Sequence, residues 1–152
     1  MERRTFMAML TGGIVVAPLA AVAQQPGKVP RIGWLGGPTR ESAEPFLRTF
    51  QRGLKDLGWV EGQNIVIEWR FAGGRAEQLP GLAVELVRLR VDLIVAPSTP
   101  TAVAAKNATK TIPIVTVGGA DPVGLGLVAS LAKPGGNITG LTSAVGPEIA
   151  GK

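Results

Sequence analysis

Three observations predict an α/β fold built on one parallel sheet. Short apolar runs alternate with segments of helical periodicity from residue 31 to residue 142. The connections between them are brief and rich in Gly and Pro. The runs at 92–96 and 114–117 are apolar on both sides, as strands covered on both faces must be. Such alternation implies right-handed crossovers with helices on both faces, a doubly wound, Rossmann-like sheet.

The first strand is expected at 31–35, an apolar run closed by Gly36-Gly37-Pro38. A helix follows over 42–57, with Phe46, Phe50, Leu54 and Leu57 on one face. Glu41 and Glu44 near its start and Arg52 and Lys55 near its end suit the helix dipole, and Gly58 can stop it. At 64–71, Ile65, Ile67, Trp69 and Phe71 alternate with a wetter face, which predicts an edge strand. A second helix is expected over 77–90, with Leu79, Leu82, Leu86 and Leu89 inward. The remaining order is a strand at 92–96, an alanine-rich helix at 101–110, a strand at 114–117, a short helix at 123–132 and a strand at 137–142. No internal repeat or low-complexity segment interrupts it.

With 152 residues, 45% hydrophobic and 18% charged, the composition suits one globular domain with one sizeable core. Residues 1–23 are expected to be a secretory signal rather than part of the fold. Arg3 and Arg4 supply the charged start, residues 6–20 the apolar middle, and Ala21-Val22-Ala23 the small-residue end. The apolar run is shorter than the ~20 residues that span a bilayer. Arg3-Arg4-Thr5-Phe6-Met7 resembles a twin-arginine signal, although Glu2 stands where Ser or Thr is usual. A general secretory signal explains the two arginines equally well. Either route places the mature chain, residues 24–152, in the periplasm.

Cysteine and histidine are both absent. Disulfides, thiol catalysis and a lipid-bearing cysteine are thereby excluded, and the commonest general base and metal ligand are missing. The net charge of +5 comes from basic residues scattered without a stripe, so no nucleic-acid partner is expected. No cofactor, metal or catalytic residue is expected either.

Ligand-binding residues are expected in the loops at the carboxyl ends of the strands, where open α/β sheets hold their ligands. These are Gly36 and Gly37, then Ser98, Thr99 and Thr101, then Asp121. Ser98, Thr99 and Thr101 lie where the alanine-rich helix begins. Its unpaired N–H groups and partial positive charge suit a carboxylate, and hydroxyls would add donors. Simple helix capping explains the same residues. Asp121 is placed to accept an ammonium group, or to cap the helix expected after Pro122. Trp34, Trp59 and Trp69 could stack on a ligand but suit packing better.

Two nucleotide-like patterns fail on context. Gly146-x-x-x-x-Gly151-Lys152 lacks the Ser or Thr and the helix of a phosphate loop. In Gly124-x-Gly126-x-x-Ala129, Asp-Pro-Val separates the glycines from the strand, and no acid ends the next strand. No G-x-S-x-G elbow is present.

Several motifs stand in order along the chain: Arg31-Ile32-Gly33-Trp34-Leu35, Phe50-Gln51-Arg52-Gly53-Leu54, Leu57-Gly58-Trp59-Val60-Glu61-Gly62 and Asn64-Ile65-Val66-Ile67-Glu68-Trp69-Arg70. The block from Asp121-Pro122-Val123 to Asn137-Ile138-Thr139-Gly140 completes the set. Together they resemble the ABC-transporter substrate-binding proteins with a periplasmic-binding-protein type 1 fold, of the tryptophan/tyrosine-type branch. The resemblance implies a strand order of 2-1-3-4-5. It also implies capture of a small-molecule solute, an amino acid, for import through an ABC permease. Members have two similar lobes, and this sequence reaches about the end of the first, so it is expected to be a truncated form lacking the second lobe that docking requires. Two other readings stay open: a small α/β enzyme, hydrolytic or nucleotide-dependent, and a non-functional fragment of the binding protein.

Overall fold

The computed structural model describes residues 27–118, 122–130 and 134–141. The expected signal, Asp121 and residues 146–152 lie outside the described residues. Five strands form one sheet in the order β2-β1-β3-β4-β5. They are β1 (Arg31–Gly36), β2 (Val66–Phe71), β3 (Leu93–Val95), β4 (Ile114–Val117) and β5 (Ile138–Leu141). Every neighbouring pair is parallel, so the sheet is the expected one and its order is that implied by the resemblance.

The period-two geometry of β1 divides the core. Ile32 and Trp34 face α1 (Arg40–Asp56), with Ala43, Leu47, Ile67 and Val95. Leu35 faces α2 (Leu79–Arg88) and α3 (Thr99–Ala108), packing in a cluster with Ala83, Leu86, Ile94, Ala102 and Ile114. Gly33 points the same way, and a Cβ on it would stand 3.0 Å from both Leu86 methyls. Alanines 102 and 105 are fully buried, letting α3 lie close on the sheet.

The first helix begins two residues earlier than the pattern suggests. Thr39 caps it, its hydroxyl accepting the Ser42 N–H at 3.2 Å. The buried stripe is also rotated from the expected one. Ala43 and Leu47 are buried and Phe50 and Leu54 pack half-buried beside them, whereas Phe46 is 73% exposed and Leu57, past the helix end, 78%. The large side chains misled the reading because the buried stripe includes small Ala43 while Phe46 faces solvent.

The helix expected at 123–132 is absent from the part described, since residues 122–129 form consecutive turns and bends. Gly126 has φ +65°, which breaks helical geometry, and its carbonyl accepts a hydrogen bond from Lys106 Nζ on α3. Leu127 nevertheless enters the core, 7% exposed. Two glycines within three residues remove helix propensity.

Edge strand β2 carries charge rather than bare apolar surface. Glu68 pairs with Arg31 at 3.4 Å, and Arg70 with Glu85 of α2 at 2.8 Å. Charged edges discourage pairing with other chains. At the amino end of the sheet, Asp92 accepts Lys28 Nζ at 2.6 Å and the Arg31 N–H at 2.9 Å.

Two outcomes follow. Leu47→Ala is expected to cost about 2–5 kcal/mol in urea unfolding, and Phe46→Ala less than about 0.5 kcal/mol. The reverse ranking would contradict the helix phase described. Asp92 titrates below the ordinary aspartate range, first through the Lys28 hydrogen bond and then through the Arg31 N–H. A carboxylate with a lowered folded pKa stabilises fully above its unfolded value, about 3.9, and loses that effect as pH falls through the folded one. Unfolding midpoints of the wild type and Asp92→Asn should therefore differ at neutral pH and converge in acid; a constant gap down to pH ~2 would count against this latch.

Candidate functional site

Three loops meet at the carboxyl edge of the sheet. Backbone hydrogen bonds join the first two: the Ala72 N–H donates to Gly36 O and the Gly74 N–H to Gly37 O, each at 2.9 Å. A Cβ on Gly37 would lie 3.9 Å from Thr101 Cγ2, which brings the loop after β1 against the start of α3. Gly36 has a tighter role. A Cβ there would come within 2.7 Å of the Phe71 ring, so the position admits only glycine without displacing that ring. The structure thus brings together Gly36, Gly37, Ser98, Thr99 and Thr101. The third expected loop, 118–123, is described except at 119–121, which include Asp121, and Gly118 has φ +78°.

The roles of the three hydroxyl residues differ. Thr101 is fully buried. Its Oγ1 accepts the Ser98 N–H at 3.0 Å and donates to Ser98 O at 2.8 Å. Thr101 therefore positions the loop and is the capping partner. The two hydroxyls lie 3.1 Å apart and share a hydrogen bond, and the Ser98 side chain faces the Thr101 N–H in a capping box. Thr99 is half-buried at the first turn of α3 and makes no hydrogen bond among the described residues. Its hydroxyl and N–H remain as donors at a helix start. The sequence pattern identified the loop but could not tell the buried Thr101 from the half-buried Ser98 and Thr99, since that division depends on packing against the sheet.

Trp34 is buried and packs on Phe50 at 5.0 Å and Trp69 at 5.7 Å, a core role. Trp69 Nε1 donates to Glu61 at 2.8 Å. Trp59 borders a shallow hollow of about 180 Å³ with Leu54, Val60 and Ile67, at the end of the sheet away from the loops. Among the described residues no group of three acidic side chains converges in a way that would hold a metal ion. No helix among them is long and apolar enough to cross a membrane.

A parallel sheet with polar loops gathered at its carboxyl edge is the architecture of a ligand-holding lobe. The chain belongs to the ABC transporter substrate binding protein family, whose profile matches residues 39–147. That family is one of binding proteins, not of enzymes. The chain is similar to the tyrosine-binding protein of Clostridioides difficile strain R20291, with 46% identity over 99 residues, 65% of this chain and 29% of that protein. It is similar in structure to a ligand-free, open substrate binding protein with adhesive properties from Clostridium difficile, with a TM-score of 0.72 and 35% identity over 80% of this chain and 41% of that one. It is also similar to an ABC domain in complex with L-Trp from Streptococcus pneumonia, with a TM-score of 0.69 and 30% identity over 76% and 39% of the two chains. The chain thus spans less than half the length of each of these relatives.

The capping role of Thr101 has a measurable consequence. Thr101→Val keeps the shape but strands the Ser98 N–H, and should cost about 1–2 kcal/mol in equilibrium unfolding. A neutral substitution would show that the hydroxyl pair does not hold the loop.

Proposed function

We propose that this chain is the first lobe of an extracytoplasmic binding protein that captures an amino acid for an ABC importer. One observation carries the reading. At the start of α3, next to Gly37, the loop sets the Ser98 hydroxyl beside the hydroxyl and N–H of Thr99. An amino acid has the complementary pair, an ammonium and a carboxylate on one carbon. The ammonium would lie toward Ser98 Oγ, with Asp121 as its charged partner, and the carboxylate toward the Thr99 N–H and hydroxyl. Thr101 and the two glycines 36 and 37 would hold the loop in place. The tyrosine-binding and L-Trp-bound relatives support an amino acid as the ligand class.

A single lobe covers one side of a ligand. Water competes for each polar contact on the other side, and electrostatic attraction weakens in that high-dielectric setting. A second lobe would close over the ligand, exclude water and create the form that docks on the permease. Residues 1–23 would direct export and be removed before Gln24.

The test is calorimetric titration with an amino-acid panel that includes L-Tyr and L-Trp. It compares the 152-residue chain with the same chain joined to the second half of the streptococcal relative. The joined protein should bind, the single lobe much more weakly. Ser98→Ala and Thr99→Ala in the joined protein should each weaken binding about tenfold, the worth of one charge-assisted hydrogen bond. Unchanged affinity in both variants would remove this loop from the site.

A further inference from the structure

Arg40, the first residue of α1, is held in place without an acceptor. Its guanidinium lies 5.2 Å from the Trp69 ring centre and 5.7 Å from that of Phe71. Those two rings are nearly parallel, 8° apart with centres at 6.3 Å, and form one aromatic platform on β2. Other arginines have carboxylate partners: Arg31 and Arg70 pair with Glu68, Arg70 also with Glu85, and Arg48 with Glu44. Arg40 makes no ion pair or hydrogen bond among the described residues, and it is exposed. Stacking uses the faces of a guanidinium and leaves its edge N–H groups free.

The location is the carboxyl edge of the sheet, three residues after Gly37. A second observation falls in the same corner. Trp34 Nε1 is buried and has no hydrogen-bond partner. It lies on the face of Gly36 that the Phe71 ring fills, where a Cβ would stand 3.1 Å from the indole nitrogen and 2.7 Å from the ring. Two donors without acceptors therefore border Phe71. Unpartnered buried donors are rare in folded proteins and call for a reason.

We propose that Arg40, fixed on the Trp69–Phe71 platform, is a carboxylate-binding residue at the rim of the crevice, separate from the Ser98–Thr99 loop. The planar fork of one arginine matches a planar carboxylate through two parallel hydrogen bonds. Immobilisation on the rings removes in advance much of the side-chain entropy that binding would otherwise cost. The site stands independently of the amino-acid reading.

Trp69 lies under the guanidinium, so its fluorescence reports occupancy. The experiment titrates the 152-residue chain with succinate and, separately, with inorganic phosphate, holding ionic strength constant with sodium chloride. Succinate should produce a saturable change in tryptophan emission that Arg40→Gln abolishes and Ser98→Ala leaves intact. Arg40→Lys keeps the charge but loses the fork, and should weaken the response about tenfold. Circular dichroism verifies that each variant is folded. A succinate curve that follows sodium chloride alone overturns the proposal, as does an undiminished response in Arg40→Gln. Phosphate binding at least as tightly as succinate would overturn the choice of carboxylate. Loss of the response in Ser98→Ala would merge this site with the loop and overturn its independence.

Discussion

The fold depends on the position of β1, which has no free side. β2 and β3 pair with it along both edges, α1 covers one face and α2 the other. A strand confined in this way must be thin where neighbours come closest. Gly33 and Gly36 meet that need on opposite faces, Gly33 under Leu86 and Gly36 under Phe71. The same thinness carries the chain to the carboxyl edge at Gly37, where the loop can touch α3. Packing of the core and placement of the candidate site are therefore one constraint, imposed by the residues of a single strand.

Much of this was legible in the sequence. The strands at 31–35 and 114–117 stood out because short apolar runs ended in glycine turns, and β2 read as an edge because its charged residues alternate with Ile67, Trp69 and Phe71. The phase of α1 was not legible, because Ala43 carries too little hydrophobic signal to mark the buried stripe, while exposed Phe46 carries too much. The segment 122–130 misled in the opposite sense. Its apolar residues suggested a helix, yet backbone freedom at Gly124 and Gly126 and the reach of Lys106 from α3 decide its path. Long-range contacts of that kind leave no local pattern.

The candidate site divides similarly. Its place followed from topology, because loops after parallel strands share one edge. Its chemistry did not. Ser98, Thr99 and Thr101 are alike as residue types, and only the fold separates them, with Thr101 buried and bonded to the Ser98 backbone and Thr99 half-buried at the helix start. Arg40 was missed because its platform lies on a strand more than 25 residues later in the chain. Had alternation on β2 been read together with the residue that opens α1, the stack would have been open to anticipation.

The latch of Lys28 and Arg31 on Asp92 fixes where the chain enters the domain. Entry occurs at the amino end of the sheet, the pole opposite the loops around Gly37 and Ser98. An attachment made upstream of Lys28, whether to a resin, a sensor chip or a fused carrier, would leave from the far side of the domain. The edge that carries Gly37 and Ser98 would then point away from the support.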